Sequence, residues 1–139
     1  MLQEDPATRE MVREVVSGFS LYNPDHGVNV YISDTFSPGS RMIQYRTKKQ
    51  NIPWWTTHFE LQVDNDSCYL LEIEVEEGQR GKGIGKELYG IVENVARKCG
   101  CRRVVMTASG NTVTGKTRKE YAEGLGYREI KDLEVEKII

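Results

Sequence analysis

The run LEIEVEEGQRGKGIGKELY, residues 71–89, changes character twice. It opens as the end of a strand. Leu71, Ile73 and Val75 alternate with glutamates and extend a face begun by Tyr69. A turn with glycines at 81, 83 and 85 follows. From Ile84 the apolar residues recur at helical spacing through Leu88, Ile91, Val92, Val95, Ala96 and Cys99, and Gly100 reads as the cap that ends the helix. A strand, a glycine-rich turn and a helix together form an anion grip. Glycine lets the backbone approach closely, and the unpaired N–H groups of the first helical turn point at the anion. Arg80, Lys82 and Lys86 add positive charge. The plainer alternative is an ordinary capped strand-to-helix turn. Three glycines at alternate positions with three flanking cations favour the phosphate cradle over that reading.

Outward from this stretch, Trp55 to Val63 and Cys68 to Val75 read as two strands joined by a turn at Asp64-Asn65-Asp66. Val28, Val30 and Ile32 alternate as a strand, and Met42 to Arg46 forms a weaker one. Asp5-Pro6 is an N-cap followed by proline at the first helical position. Met11, Val12, Val15, Val16 and Phe19 then give an amphipathic helix. After Gly100 come a short apolar strand, Arg103 to Ala108, a helix over Lys116 to about Gly124, and an extended segment from Tyr127 to Ile138. Helix, several strands, helix, strand, helix, strand predicts an α/β (α+β) domain with a mixed sheet, single over residues 1–139.

Composition narrows the function. Nineteen Lys plus Arg against 21 Asp plus Glu leave a net charge of -2, which gives no support for a nucleic-acid partner. No apolar run approaches the roughly 18 residues of a membrane span, and the polar start MLQEDPATRE does not read as a signal peptide. Cys68, Cys99 and Cys101 make no metal-type pattern. They read as free thiols in a reducing, cytoplasmic setting, and no metal is expected.

The stretch Leu71–Tyr89 resembles the acyl-CoA-binding motif of the GNAT superfamily of N-acetyltransferases. That motif is an apolar strand ending in valine, then R/Q-x-x-G-x-G/A, then an amphipathic helix. Arg80, Gly83 and Gly85 fill the signature positions, and Val75 stands five residues before Arg80. The segment GLGY, residues 124–127, is similar to the family's "LYEKLGF" tail. The resemblance spans about Tyr69 to Tyr127 and implies a mostly antiparallel central sheet flanked by helices. It implies acetyl-CoA as cofactor, with Val75 beside the pantetheine arm and the pyrophosphate on Gly81, Lys82, Gly83, Ile84, Gly85 and Lys86 near Arg80. A splay beside Val75 would free a backbone N–H to polarise the thioester carbonyl.

The resemblance also implies chemistry. An acceptor amine is mostly ammonium at neutral pH and must lose a proton before it attacks. Glu72 stands where many members carry an acid, and is the candidate general base or ammonium anchor, with Glu74 as its neighbour; a solvated or salt-bridged strand glutamate is the alternative. Tyr69 occupies the position where histone-type members carry their glutamate. The family's proton-donating tyrosine falls on Ala122, and its asparagine on Gly115. Tyr121 lies one residue early, about 100° around a helix, and is the candidate to reach the cofactor sulfur. Tyr127 becomes a packing aromatic.

Gly110 to Thr117, GNTVTGKT, competes, since it satisfies G-x-x-x-x-G-K-[ST] between a strand and a helix. The residues after Thr117 hold no apolar strand ending in a magnesium-binding aspartate, so the nucleotide-binding reading ranks below acyl transfer. Trp54, Trp55 and His58 could line an acceptor pocket, though packing is the commoner use of tryptophan. Neither histidine shows an acidic cluster around it. Arg46-Thr47-Lys48-Lys49 reads as a solvated loop, Cys99 as packed on the helix, and Cys101 as unreactive at the next strand. The expected activity is direct acetyl transfer from acetyl-CoA to a primary amine on a small molecule, peptide or protein. A non-catalytic acyl-CoA-binding domain on the same fold is the alternative.

Overall fold

The computed structural model describes residues 3–18, 26–33, 38–48, 55–75, 83–108 and 116–139. Among the described residues eight strands form one sheet in the order β1-β2-β3-β4-β5-β6-β8-β7. They are β1 (Gln3–Glu4), β2 (Gly27–Ser33), β3 (Ser40–Lys48), β4 (Trp55–Asp64), β5 (Ser67–Glu74), β6 (Arg103–Thr107), β7 (Arg128–Lys131) and β8 (Glu134–Ile138). The helices among the described residues are α1 (Pro6–Val16), α2 (Ile84–Lys98) and α3 (Arg118–Gly124). Every neighbouring pair is antiparallel except β5 and β6, which run parallel because α2 carries the chain back between them. The expected mixed, mostly antiparallel sheet flanked by helices is thus the observed architecture.

Local signals start the helices, and their apolar faces dock them. Asp5 caps α1, its carboxylate accepting from the Thr8 N–H at 3.1 Å, with Pro6 in the first turn. Arg41 of β3 reaches the same carboxylate at 2.6 Å and ties the helix to the sheet. Val12 and Val16 of α1 are fully buried, as are Leu88, Val92, Val95 and Ala96 of α2. These meet Ile43, Tyr45, Phe59, Leu61 and Val104 from the strands in one core. Phe19 lies outside the described residues.

Three expectations need correction. The run Arg46 to Lys48 is strand and not loop, because Thr47 turns inward and its hydroxyl accepts the Thr57 N–H at 3.1 Å. The segment after Tyr127 is a hairpin, β7 and β8, folded at Asp132-Leu133 with Leu133 at φ 58°. The face assigned to Tyr69, Leu71, Ile73 and Val75 does not exist as such. Leu61 pairs with Leu70, while Glu60 pairs with Glu72, so Leu71 is the extra residue of a β-bulge. Before it Cys68 and Leu70 point into the core; after it Ile73 and Val75 do. Leu71 itself is 54% exposed.

Candidate active site

The parallel ladder between β5 and β6 runs only from Ser67–Arg103 to Leu70–Met106. Beyond that point the two strands are not paired with each other, although both continue. The wedge between them is a cavity of about 360 Å³. Leu71 to Glu74 form one wall, Thr107 and Ala108 the other, and Tyr89 and Arg118 reach in from the helices. A splay was expected beside Val75; it opens earlier, immediately after Leu70.

The bulge at Leu71 sets the next residue. Glu72 emerges on the face away from the core, opposite Glu60, and His58 stands opposite Glu74. A second cavity of about 300 Å³ lies on that face, lined by Gln44, Arg46, His58, Glu60 and Glu72 among others. Glu72 lines both cavities, so one residue borders the strand wedge and the space across β3 and β4. His58 Nε2 lies 2.8 Å from Glu72 Oε1 and 4.0 Å from Glu74 Oε2. The absence of acids around the histidines, expected from the sequence, is therefore wrong for His58. The three side chains offer donor atoms within 4.8 Å of one another, which could meet a cation. Both glutamates are about half exposed, which suits proton exchange with solvent as well.

At the start of α2, Gly83 occupies the N-cap with φ 80°, a left-handed backbone, and no side chain among the described residues caps the helix. The first-turn N–H groups around Ile84, Gly85 and Lys86 are therefore not spent on a side-chain cap, which fits an anionic group. Gly85 is tightly surrounded. A Cβ there would stand 3.3 Å from the Tyr121 hydroxyl and 3.8 Å from Val75. Val75, Gly85 and Tyr121 are thus brought together, whereas Arg80, Gly81 and Lys82 lie outside the described residues. Ala122 is 1% exposed and packed in the core, so a tyrosine there would need space that this fold fills. Burial raises the Tyr121 hydroxyl above its ordinary pKa and keeps it protonated.

Two residues of the wedge escaped the sequence reading. Tyr89 is 9% exposed, and burial pushes its hydroxyl up to about 12 against the opposing charge of Arg118. Its signal was a polar-tipped aromatic on the apolar stripe of α2, one turn beyond Gly85. Arg118 opens α3, and nothing local in the sequence marks it as facing the wedge. Of the competing glycine motif, residues 110–115 are outside the described residues. Its Thr117 is the N-cap of α3, accepting the Glu120 N–H at 3.1 Å and lying 3.0 Å from the Glu120 carboxylate. That hydroxyl, the one a nucleotide loop offers to magnesium, serves a capping box here.

Residues 42–127 match the model of the acetyltransferase (GNAT) family. No curated protein sequence matches the chain. Among solved structures, a protein from Agrobacterium tumefaciens provisionally named an acetyltransferase is 18% identical. The alignment covers 96% of this chain and 89% of that one, with a TM-score of 0.61. An acetyltransferase from Bacillus cereus ATCC 14579 is 16% identical over 94% of this chain and 90% of its own, with a TM-score of 0.58. A GNAT family acetyltransferase from Elizabethkingia anophelis, solved with acetyl-CoA bound, is 14% identical. It covers 84% of this chain and all of its own, at a TM-score of 0.53. The structures share the fold, and the family model spans the bulged strand, the glycine turn, α2 and α3 together. The chain belongs to the GNAT family of acetyltransferases.

Proposed function

We propose that the chain is a single-domain N-acetyltransferase that passes an acetyl group from acetyl-CoA directly to a primary amine, with no covalent enzyme intermediate. The observation that carries this reading is the placement of Glu72 on both cavities, between the strand wedge and the space across β3 and β4. A carboxylate there meets an amine coming from one side at an acyl group lying on the other.

Acetyl-CoA supplies an activated acyl thioester, whose acetyl group becomes an amide and whose thiol leaves. The chain's own residues do the rest. Backbone N–H groups from Gly83 to Lys86, with Arg80, Gly81 and Lys82 before them, hold the pyrophosphate, and Val75 packs beside the pantetheine arm. The β6-facing edge of β5 from Leu71 onward presents backbone donors to the acyl oxygen. Glu72 anchors the acceptor ammonium and takes its proton, and Glu74 keeps the approach acidic. Tyr121 gives a proton to the departing sulfur. Burial keeps its hydroxyl protonated, and its position against Gly85 and Val75 supports the role despite the shifted register. The acceptor is a small molecule or a peptide or protein amine, and the enzyme works in the cytoplasm.

A thermal-shift titration with acetyl-CoA beside ATP plus Mg²⁺ tests the binding half. A ligand at about 100 times its dissociation constant stabilises the native state by roughly 2.7 kcal/mol. Stabilisation by acetyl-CoA and not by ATP is expected. The reverse would restore the Gly110–Thr117 nucleotide loop. Release of free thiol with one member of an amine panel tests the chemistry. Cofactor binding without turnover would make the chain an acyl-CoA-binding module instead.

A further inference from the structure

The contact between His58 and Glu72 asks more of the site than a lone base. Glu72 is 56% exposed, and a glutamate with that freedom samples several rotamers. Among the described residues one contact restrains it, the 2.8 Å hydrogen bond from His58. Register explains why this bond exists. His58 faces Glu74 directly and Glu60 faces Glu72, so the His58–Glu72 bond is a diagonal one. The bulge at Leu71 sits between Leu70 and Glu72 and brings Glu72 onto the His58 face.

The hydrogen atom can be placed by elimination. A carboxylate only accepts, so the imidazole donates from Nε2. Among the described residues nothing bonds the buried Nδ1 of His58, so no partner draws the proton to that nitrogen and the N–H faces Glu72 from Nε2. Nothing among the described residues bonds Glu72 Oε2, and only Oε1 is held.

We propose that His58 is a positioning residue for acetyl transfer. It pins one oxygen of Glu72 through Nε2–H and so leaves the other oxygen to receive the acceptor's proton. The inference rests on the reading of Glu72 given above. It differs from a metal centre, in which both Nε2 and Oε1 would turn to a shared cation, and from a histidine base, which would need a free nitrogen facing the acceptor.

Two readouts test it. The first needs no turnover. With two histidines in the chain, ¹⁵N imidazole shifts are simple to assign. His58 should show the Nε2–H tautomer, and Glu72→Gln should disturb that signal. An Nδ1–H tautomer, or indifference to Glu72→Gln, overturns the proposal whatever the activity. The second uses the reactive amine found in the thiol-release screen. His58→Leu should lower kcat/KM for the amine about tenfold or more, with acetyl-CoA affinity and Tm little changed. His58→Gln retains an N–H donor and should recover most of the loss. In a Glu72→Gln background, His58→Leu should cost little further. Equal damage from Gln and Leu, or additive losses with Glu72→Gln, would overturn it. If no amine reacts with the wild-type chain, the functional reading fails while the tautomer measurement still decides the His58–Glu72 geometry.

Discussion

The Tyr121 hydroxyl stands over the α carbon of Gly85, 3.3 Å from where a Cβ would sit, on the first turn of α2. A tyrosine one residue out of the family's register thereby reaches the turn that carries the cofactor motif. Its register brings Ala122 into the core and leaves Tyr121 facing α2 and Tyr89, whose ring centroid is 5.8 Å away. Tyr121→Phe keeps the ring and removes the donor. We expect kcat to fall about 10- to 100-fold, the range for loss of one general acid, with acetyl-CoA affinity and Tm unchanged. A kcat within twofold of wild type would remove Tyr121 from the chemistry. Because burial raises this hydroxyl above its ordinary value of 10.0, activity should show no loss from its ionisation below about pH 10.

Gly83 separates backbone conformation from crowding. Among the described residues nothing lies within 4 Å of a Cβ built there, yet its φ is 80°. The cost of a side chain is therefore conformational, about 1–2 kcal/mol for an ordinary residue in the left-handed region. Asparagine tolerates that region better than alanine does, although it is the larger side chain. Gly83→Asn should bind acetyl-CoA more tightly than Gly83→Ala, the order following left-handed propensity and not side-chain volume. Equal affinities for the two variants would mean that the turn's conformation does not matter to the cradle.

Leu70 and Leu71 are adjacent, alike in composition and opposite in burial, at 6% and 54% exposed. Leu70→Ala should cost about 2–4 kcal/mol through lost burial and a cavity. Leu71→Ala should cost within about 0.5 kcal/mol, as for a surface change. Urea midpoints of the two variants decide it. Similar losses at both positions would place Leu71 in the core, as simple alternation along the strand reads it.

That alternation marks where the sequence stops being legible. Local signals carried α1, because Asp5-Pro6 is a start signal in itself, and α2, because its apolar face is long and regular. Gly100 closes α2 with φ 84°, and Asn65 turns the β4–β5 hairpin with φ 54°. A bulge is a property of pairing. The alternation from Leu71 to Val75 follows an apolar run, Cys68 to Leu71, and only the partner strand reveals which residue is extra. The same holds for His58 and Glu72, fourteen residues apart, whose meeting depends on a diagonal across that bulge. The family motif was readable since its glycine spacing lies within one stretch of chain. The places of Glu72 and Tyr121 were not, since each depends on how two elements are registered.

Burial of weak acids gives the fold an alkaline limit. Burial raises Cys101 to about 11 from 9.0 and Tyr89 to about 12 from 10.0, and it pushes Cys68 and Tyr127 higher still. In each case the folded state holds its proton longer than the unfolded chain does. The stabilisation from this source is whole below pH 9. It falls as pH rises from each unfolded pKa towards the folded one, by at most about 1.4 kcal/mol per pH unit for each group. Cysteines act first, so urea midpoints should be flat from pH 7 to about 8.5 and decline between pH 9 and 11. Cys101→Ala removes one of the earliest contributors and should make that decline shallower, whatever it does to stability at pH 7. A midpoint independent of pH up to 11 would mean that these thiols and phenols ionise as easily in the folded protein as in the unfolded chain.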